Sequence, residues 1–305
     1  MRIVSLIASA TEMVAALGLA DQLVGISHEC DYPPEAVRGR PVLTSPKMDV
    51  KKKSLDIHRD VEAIVSLGLS VYKIDVEKLK SAAPDIILTQ DQCEVCAVTY
   101  DDVVKASKEC LDTNALIVTL HPDSLEDIYN DFGKVAEALQ VEEKGRQCIK
   151  DLRQGMNSIH SKTKTILKKP RVVCLEWLSP LMAAGNWIPE MVDMAGGMNG
   201  FTKRGDHTKV ITWKELQSYD PDVLVLMPCG FTIAQSLENR LDLESLPGFK
   251  DLKAVRGRQV FVVDGNTYMN RPGPRILESL YILAGIFHPE LFEKLIPKGA
   301  LARWA

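Results

Sequence analysis

The feature that most constrains the fold is a helix-only stretch in the middle of the chain. Before about residue 121, and again from Pro170, short apolar runs alternate with helical patterns, which is typical of α/β layers. Residues 124–165 lack this alternation. Their apolar positions recur at intervals of three and four, first at 125, 128, 132, 135 and 139 and then at 149, 152, 156 and 159. At 1.5 Å per residue, roughly the last 24 of these residues extend about 35 Å, enough to cross a domain, so we predict one long connecting helix.

The two flanking parts repeat one another. VEKLKSAAPDIILTQDQC and WKELQSYDPDVLVLMPCG each predict a helix that ends at a Pro-Asp pair, then an apolar strand, then a turn with cysteine. This echo favours two similar α/β lobes. We therefore predict residues 1–121 as an amino-terminal lobe, 122–169 as the interlobe helices and 170–305 as a carboxy-terminal lobe.

The first elements are predicted from their boundaries. RIVSLI is expected to be a buried strand, SATEMVAALGLADQ a short helix and LVGIS a second strand. Ser9 and Glu12 form the pattern of a capping box for that helix, and Gly18 is expected to stop it. Later strands are expected at IILT, ALIVTL, RVVCLEW, VLVLM and RQVFVV, with a helix at TYDDVVKASKEC.

Composition and charge exclude several classes of protein. Apolar residues make up 46% and charged residues 26%, as in soluble globular proteins. The net charge of -4 and a solvated KKK run at 51–53 give no electrostatic footprint for nucleic acid. No apolar run reaches the roughly 18–20 residues of a membrane span. The opening MRIVSLIASATEMV lacks the apolar core of a secretory signal, which predicts a cytoplasmic protein, or a periplasmic or extracytoplasmic one if this is a mature form.

Candidate functional residues are sought after the predicted strands, because ligands of open α/β sheets bind beyond the carboxyl ends of the strands. Those stretches are rich in aromatic, Met, Cys, His and Pro residues: ASAT, SHECDYP, QDQCEVC, HPD, EWLSP, MPCGF and NTYMNRPGP. They contain no GxSxG, HExxH, P-loop or GxGxxG spacing. Nothing in these stretches marks a base beside a nucleophile, so no catalytic triad is predicted.

The CxxC of TQDQCEVCAV has three interpretations. Cys93 and Cys96 precede a predicted helix, as a redox pair requires, but the acidic residues beside them disfavour thiolate. They could instead join His28 and Cys30 around zinc or iron, although a structural zinc site usually shows a second CxxC. In the third interpretation the two thiols line a packed turn. Seven cysteines at irregular spacing indicate reduced thiols rather than a disulfide framework.

Four aromatic residues lie near predicted strand ends or helix starts, namely Trp177, Trp187, Phe231 and Tyr268. Aromatic side chains present broad apolar faces. A cleft lined by such faces and by a few polar groups suits a large planar ligand.

Three segments carry a family resemblance. RIVSLIASATEMVAALGLADQLVGISHECDYP, CLEWLSPLMAAGNWIPEMVDMAGG and MNRPGPRILESLYILAGIFHPE together resemble the cobalamin-type substrate-binding proteins of ABC importers. These belong to the periplasmic binding proteins for corrinoids, haem and ferric siderophores. The segments span nearly the whole chain, and HECDYP and DQCEVCAV are similar to a leaderless subgroup of these helical-backbone metal receptors.

The resemblance implies a fold, a ligand and a partner. The fold is α/β, with two similar lobes joined by one long helix and the ligand in a cleft between them. The implied role is that of a ligand-binding protein rather than an enzyme: a monomer captures cobalamin, another corrinoid or a related metal tetrapyrrole and docks on an ABC permease through one acidic residue on each lobe. The matching positions are Glu77 and Glu215, which the internal echo places equivalently. No resident cofactor, nucleic acid or membrane span is expected.

The residues and the resemblance together predict one cleft. Trp177, Trp187 and Phe231 offer apolar faces to a macrocycle. Arg271 points a cation at an amide, carboxylate or phosphate of the ligand, and His28 is the candidate for an axial nitrogen. The full predicted set is Thr11, His28, Tyr32, Cys93, Cys96, Glu176, Trp177, Trp187, Met227, Phe231, Tyr268 and Arg271.

Two alternatives stay open. The first is a cytosolic metal-site protein or metalloenzyme that holds zinc or iron through His28, Cys30, Cys93 and Cys96. The second is an interaction scaffold that binds no small molecule. Elemental analysis and a visible spectrum with added cobalamin distinguish these alternatives from the main prediction.

Overall fold

A computed structural model of the chain describes residues 1–66, 71–91, 102–104 and 115–304. The chain forms two compact units. Unit 1 contains Met1–Lys52, Asp56–Pro122 and Glu126–Asp151, and unit 2 contains Lys53–Leu55, Asp123–Leu125 and Leu152–Ala305. The three-part division predicted from the sequence stays a prediction.

The chain up to Thr163, which contains all of unit 1, alternates strands and helices as the sequence predicts. Its elements, in chain order, are β1 (Ile3–Ser5), α1 (Ala8–Ala16), β2 (Leu23–Ile26), α2 (Pro34–Val37), β3 (Thr44–Pro46), α3 (Ser54–Val65), β4 (Tyr72–Ile74), α4 (Val76–Ala82), β5 (Ile86–Gln90), β6 (Leu116–Leu120), α5 (Leu125–Ala138) and α6 (Glu142–Thr163). Of the predicted TYDDVVKASKEC helix, residues 102–104 are described, and they are helical.

A four-stranded parallel sheet forms the centre of unit 1, in the order β2-β1-β5-β6. Its strands are apolar on both faces, as parallel strands covered by helices usually are. Val4, Ile87 and Leu79 are fully buried in its core. Because all four strands run the same way, the residues that follow them lie at one edge of the sheet.

A separate two-stranded ribbon is formed by β3 and β4, which pair antiparallel with Thr44 opposite Ile74 and Pro46 opposite Tyr72. An isolated bridge from Ile26 to Val42 brings the chain from the end of β2 to this ribbon. The ribbon therefore holds Thr44 and Tyr72 beside the residues that follow β2.

The start of α1 differs from the prediction. Ile7 is the N-cap and makes no side-chain cap, whereas Ser9 and Glu12 lie inside the helix and are buried. The capping box is wrong because α1 begins at once after β1, so Ser9 falls in the first turn and faces the interior. The predicted stop is confirmed, since Gly18 follows the end of α1 with a φ of 76°.

The middle of the chain is helical, as predicted. Helix α6 has 22 residues, which corresponds to about 33 Å. Its residues up to Asp151 belong to unit 1 and those from Leu152 to unit 2. Met156 and Ile159, two of the predicted apolar positions, are buried. No helix among the described residues is long and apolar enough to cross a membrane.

Unit 2 continues the alternation after α6. Its elements are β7 (Arg171–Leu178), β8 (Leu181–Ala183), α7 (Ile188–Met194), β9 (Met198–Asn199), β10 (Lys209–Val210), α8 (Trp213–Tyr219), β11 (Val223–Leu226), α9 (Ile233–Glu238), α10 (Leu241–Glu244), α11 (Lys253–Arg256), β12 (Val260–Val263), α12 (Ile276–Phe287), α13 (Pro289–Phe292) and β13 (Leu301–Arg303).

The sheet of unit 2 is mixed, in the order β10-β8-β7-β11-β12-β13, with β9 also paired to β7. Strands β7, β11 and β12 are parallel, and β8 and β13 are antiparallel to their neighbours. Leu175, Leu224 and Val262 are fully buried in the core of this sheet. The predicted strands at RVVCLEW, VLVLM and RQVFVV are confirmed.

The two units share one structural detail. The backbone N–H of Arg2 donates to Asp85 Oδ2 at 2.7 Å, and that of Arg171 donates to Asp222 Oδ2 at 2.8 Å. Each arginine side chain also donates to a carbonyl in the last turn of the helix that precedes the aspartate. The repeated Pro-Asp pattern of the sequence therefore corresponds to a repeated set of hydrogen bonds. In each unit these bonds join the start of one strand to the end of the helix that precedes the neighbouring strand of the sheet.

Candidate ligand-binding site

The amino-terminal candidates follow parallel strands of unit 1. Thr11 lies in α1, directly after β1, and is fully buried. Its hydroxyl donates to Ser5 Oγ at 2.8 Å, and Cys30 Sγ lies 3.1 Å from the same oxygen. The structure thus joins Thr11 to the Cys30 turn after β2.

His28 is held by the loop after β2 and by the β3–β4 ribbon. Its Nδ1 lies 2.7 Å from Thr44 Oγ1, and its backbone N–H donates to the same oxygen at 3.0 Å. The Thr44 hydroxyl donates in turn to Ser27 Oγ at 3.1 Å. The Tyr72 ring packs against the imidazole with centroids 5.0 Å apart. These contacts give the imidazole one orientation.

The remaining predicted residues of unit 1 fall into two groups. Tyr32 is described and is 42% exposed, ahead of Pro33. Cys93 and Cys96 lie outside the described residues. All three interpretations of the CxxC therefore stay predictions.

A histidine–carboxylate pair at the same edge was not among the predicted site residues. Gln90 and Leu120 pair across β5 and β6, so the next residue on each strand, Asp91 and His121, are neighbours. His121 Nδ1 lies 2.7 Å from Asp91 Oδ1. The parallel pairing of the two strands is the signal that could have found this pair, but it requires knowing the register.

A buried aspartate supports this pair from α5. The His121 backbone N–H donates to Asp131 Oδ2 at 2.9 Å, and Lys134 pairs with the other oxygen at 2.8 Å. Burial raises the pKa of Asp131, although both of these partners favour its charged form. The loop that begins at His121 is therefore fixed to the first half of α5.

Two predicted aromatic residues of unit 2 do meet. Trp177, at the end of β7, and Phe231, after β11, pack edge to face with ring centroids 5.3 Å apart. The indole N–H of Trp177 donates to Ser179 O at 3.0 Å. Phe231 is 4% exposed and Trp177 is half-buried, so the pair presents mainly the indole to solvent.

Glu176 precedes Trp177, and its carboxyl group is buried although part of the residue stays accessible. The carboxyl accepts hydrogen bonds from the Thr208 hydroxyl and the Gly185 N–H. Burial nevertheless dominates and raises the pKa of Glu176. Residue 185 is glycine because a Cβ there would overlap the carbonyl oxygen of Asp206.

Two further candidates of unit 2 are buried. Trp187 is 5% exposed, and its indole N–H donates to Met269 O at 3.2 Å. Met227, the first residue after β11, is fully buried. Their assignment to a ligand site stays a prediction.

The cationic candidate lies in the MNRPGPR segment after β12. Arg271 is 4% exposed and donates to Asn266 Oδ1 at 3.2 Å. A second arginine, Arg275, is also buried, and its guanidinium lies 5.5 Å from the centroid of the Tyr268 ring. Arg275 was not among the predicted residues, although it stands four positions after Arg271 in the same segment.

The cysteines of unit 2 differ in reactivity. Cys174, inside β7, is buried, and burial raises the pKa of its thiol to about 12. Cys229 lies in the turn after β11 and is exposed, with its backbone N–H donating to Glu176 O at 3.0 Å. Only the second thiol is therefore available to solvent in this unit.

The predicted equivalence of Glu77 and Glu215 is wrong. The N-caps of α4 and α8 are Asp75 and Thr212, and each caps the N–H of the third residue after it. That third residue is Lys78 in α4 but Glu215 in α8, whereas Glu77 stands one position earlier. Both glutamates are exposed. Aligning the Pro-Asp pairs rather than the Glu residues gives the register that the structure shows.

Within residues 1–66, 71–91, 102–104 and 115–304, no three His, Cys, Asp or Glu side chains lie close enough to hold an ion together. The predicted set of His28, Cys30, Cys93 and Cys96 is described only for its first two members, so that alternative is untested.

Comparison with known proteins shows the family. Residues 3–267 match the model of the periplasmic binding protein family. The chain belongs to this family. The family assignment suggested by the resemblance is thereby confirmed.

Curated members of the periplasmic binding protein family match the chain over most of its length. An uncharacterized ABC transporter substrate-binding lipoprotein of Bacillus subtilis is 26% identical over 299 residues, which covers 96% of this chain and 82% of the relative. A vitamin B12-binding protein of Vibrio parahaemolyticus is 23% identical over 280 residues, covering 92% and 86%. The first relative is named as a substrate-binding lipoprotein of an ABC transporter and the second as a binding protein for vitamin B12; neither is named as an enzyme.

Solved structures show the same fold. The apo form of a periplasmic heme-binding protein from Roseiflexus sp. RS-1 superposes with a TM-score of 0.69 at 21% identity, covering 94% of this chain and 98% of the other. The predicted fold class, an α/β protein of the periplasmic-binding-protein type, is therefore confirmed.

Proposed function

We propose that this protein is the substrate-binding component of an ABC-type uptake system and that its ligand is a corrinoid or a related metal tetrapyrrole. The observation that carries the proposal is the match to a vitamin B12-binding protein over 92% of the chain. The B. subtilis relative, named as an ABC transporter substrate-binding lipoprotein, supports the transport role.

The aromatic pair of unit 2 supports the ligand class. Trp177 and Phe231 meet edge to face at the carboxyl ends of β7 and β11, where ligands of such sheets bind. The pair fixes the indole, so a flat apolar ring can stack on it without ordering a mobile side chain. Trp177 is the aromatic residue that we assign to the macrocycle face.

Each unit contributes residues to the proposed ligand-binding set. Arg271 contributes a cation that is held by Asn266 and recognises an amide, carboxylate or phosphate of the ligand. Thr11, His28, Tyr32, Cys93 and Cys96 are proposed from unit 1, and Glu176, Trp187, Met227 and Tyr268 complete the set in unit 2.

The proposed partner is an ABC permease, and Glu77 and Glu215 are the proposed docking residues. Both are exposed, and Glu215 is engaged within its own helix, since its Oε2 accepts from the Thr212 N–H and hydroxyl at 2.7 Å. We further propose an extracytoplasmic location, because the B. subtilis relative is named as a lipoprotein, and a monomeric state.

Titration of the purified protein tests the ligand class. We expect heat and a visible spectral change with cobalamin or cobinamide. Binding of haem alone would change the proposed ligand from a corrinoid to another tetrapyrrole. If neither heat nor a spectral change is observed with cobalamin, cobinamide or haem, the proposal is refuted. Zinc or iron found in the protein as isolated, and lost in Cys93→Ser/Cys96→Ser, would instead favour the metal-site alternative.

A matched pair of variants tests the aromatic face. Trp177→Leu should weaken corrinoid binding about tenfold or more, because stacking on an aromatic side chain is worth about 1–3 kcal/mol for a nucleic-acid base and a macrocycle presents a larger flat ring. Phe201→Leu is the control, since Phe201 and Tyr219 also form an aromatic pair with centroids 5.3 Å apart. Equal losses in both variants would count against a specific role for Trp177.

A further inference from the structure

The His28 imidazole is fixed in one tautomer. The Thr44 hydroxyl has a single proton, which it donates to Ser27 Oγ. Towards His28 the same oxygen must therefore accept, so Nδ1, at 2.7 Å, carries the ring proton. In the neutral imidazole this leaves the lone pair on Nε2.

Nε2 faces a carboxylate rather than a donor. The atom is buried and has no hydrogen-bond partner among the described residues. Glu29 Oε1 lies 3.2 Å from it, without the geometry of a hydrogen bond. A lone pair and a carboxylate oxygen at that separation repel each other unless a cation joins them, either a proton on the ring or a metal ion.

The separation of the two atoms suits a shared metal ion. Zinc binds imidazole nitrogen at about 2.0–2.1 Å and carboxylate oxygen at about 2.0–2.2 Å. Neighbouring ligands at these distances stand roughly 2.9 Å apart in octahedral and 3.4 Å apart in tetrahedral geometry. The observed 3.2 Å between His28 Nε2 and Glu29 Oε1 lies between these values.

The surroundings of His28 have the form of a support for a metal ligand. Metal-binding histidines almost always donate their other ring N–H to an oxygen, which fixes the tautomer and the ring orientation. Thr44 on β3 supplies that oxygen, and the Tyr72 ring on β4 packs against the imidazole. The β3–β4 ribbon thus holds the ring from one side and leaves Nε2 to the loop that carries Glu29.

We propose that His28 Nε2 and Glu29 Oε1 form a two-residue site for a free divalent transition-metal ion of the zinc class. The two residues supply two of the coordination positions of this ion. The two protein atoms are neighbouring ligands of one ion, whereas the metal of a macrocycle offers only two opposite axial positions. The site shares His28 with the proposed tetrapyrrole-binding set, but it is tested with metal ions alone, and it uses Glu29 where the sequence suggested Cys93 and Cys96.

Cobalt titration of the full-length protein, freed of metal by a chelator, tests the site. Co²⁺ reports its ligands through its visible absorption, and Zn²⁺ displacement confirms the class of ion. We expect one ion per chain, with at least a tenfold weaker affinity in His28→Gln and a clear loss in Glu29→Gln. Thr44→Val should weaken binding about 10–100-fold through the supporting bond, and Thr44→Ser, which keeps the hydroxyl, should restore it.

The chain supplies a matched control. His58 and Glu62 on α3 also form a pair, with Nε2 and Oε1 3.3 Å apart, but Glu62 is 67% exposed. His58→Gln should leave the cobalt affinity unchanged. A loss as large as that in His28→Gln would overturn the proposal, and melting curves recorded for each variant separate lost binding from lost folding.

Two further results would overturn the proposal. Wild-type protein that takes up no Co²⁺ or Zn²⁺ at neutral pH would mean that the cation between His28 and Glu29 is only a proton. Binding that shows strong thiolate-to-cobalt absorption and disappears in Cys93→Ser/Cys96→Ser would place the ion at the cysteines. Retention of the cobalt spectrum in that double variant supports the His28–Glu29 site.

Discussion

Glu176 shows how one residue can make stability depend on pH. Its carboxyl group is buried at the end of β7, and burial raises its pKa above the ordinary value of 4.5 despite hydrogen bonds from Thr208 and Gly185. The folded state therefore holds this proton more tightly than the unfolded state. The stability from the neutral form is complete below pH 4.5 and is lost as the pH rises through the raised pKa.

Glu176→Gln should remove this dependence, because the amide cannot ionise but its oxygen can still accept from Thr208. We expect the melting temperatures of wild type and variant to be closest at low pH and to separate, in favour of the variant, as the pH rises from 4 to 8. Glu238→Gln, at an exposed position, is the control. Parallel pH curves for Glu176→Gln and wild type would contradict the account.

At the scale of a single element, α8 is defined by its cap. Thr212 accepts from the Glu215 N–H at 3.2 Å, and the Glu215 carboxylate accepts from the Thr212 N–H at 2.7 Å, a complete capping box. The N–H and hydroxyl of Thr212 hold the pKa of Glu215 below its usual range. The carboxylate therefore serves its own helix as well as any partner.

Thr212→Ala should destabilise the protein by about 1 kcal/mol, since it removes the side-chain cap and half of the box. Urea unfolding measures the change in the free energy of unfolding. Lys214→Ala, an exposed position of the same helix, should be nearly neutral. Because Glu215 is part of this cap, a Glu215 variant would also change the stability of α8. Glu77→Gln is therefore the cleaner test of the proposed permease docking. A Thr212→Ala variant as stable as Lys214→Ala would refute the role of the cap.

At the scale of the whole molecule, each unit has its own hydrophobic core, and the same hydrogen bond from an arginine N–H to an aspartate carboxylate occurs in both units. Asp85 receives the Arg2 N–H in unit 1, and Asp222 receives the Arg171 N–H in unit 2. Burial opposes the charge on Asp222, but hydrogen bonds from Lys253 and Arg171 outweigh it, and the pKa of this carboxyl is lowered. Its contribution to stability is therefore present above its unfolded pKa and lost as the pH falls.

Asp85→Ala and Asp222→Ala should each loosen their own unit. Losing the acceptor of a strand N–H costs about 1 kcal/mol or more, so amide exchange should accelerate several-fold. Hydrogen exchange with mass spectrometry should locate the effect of Asp85→Ala in Ile86–Gln90 and that of Asp222→Ala in Val223–Leu226. Equal acceleration in both segments for either variant would show that the units do not unfold separately.

The elements were predictable where local pattern decides them. The strands after each Pro-Asp pair, the helix-only middle and the stop at Gly18 all follow from hydrophobic period and turn chemistry, which act within a few residues. The start of α1 could not be predicted in this way, because β1 leads directly into the helix and tertiary packing buries Ser9 and Glu12. The predicted match of Glu77 with Glu215 was wrong because α4 and α8 correspond through their N-caps, Asp75 and Thr212, and not through their glutamates.

The α/β class, the order of the elements and the family are encoded in periodicity and in motifs spread along the chain, so they can be predicted without coordinates. Which side chains meet depends on how the chain folds. The tertiary structure joined Trp177 to Phe231, Thr11 to Cys30 and Asp91 to His121, pairs separated by 19 to 54 positions that depend on strand register. It also placed Thr44 of the β3–β4 ribbon against His28, and that hydrogen bond fixes the imidazole tautomer, which no local pattern encodes.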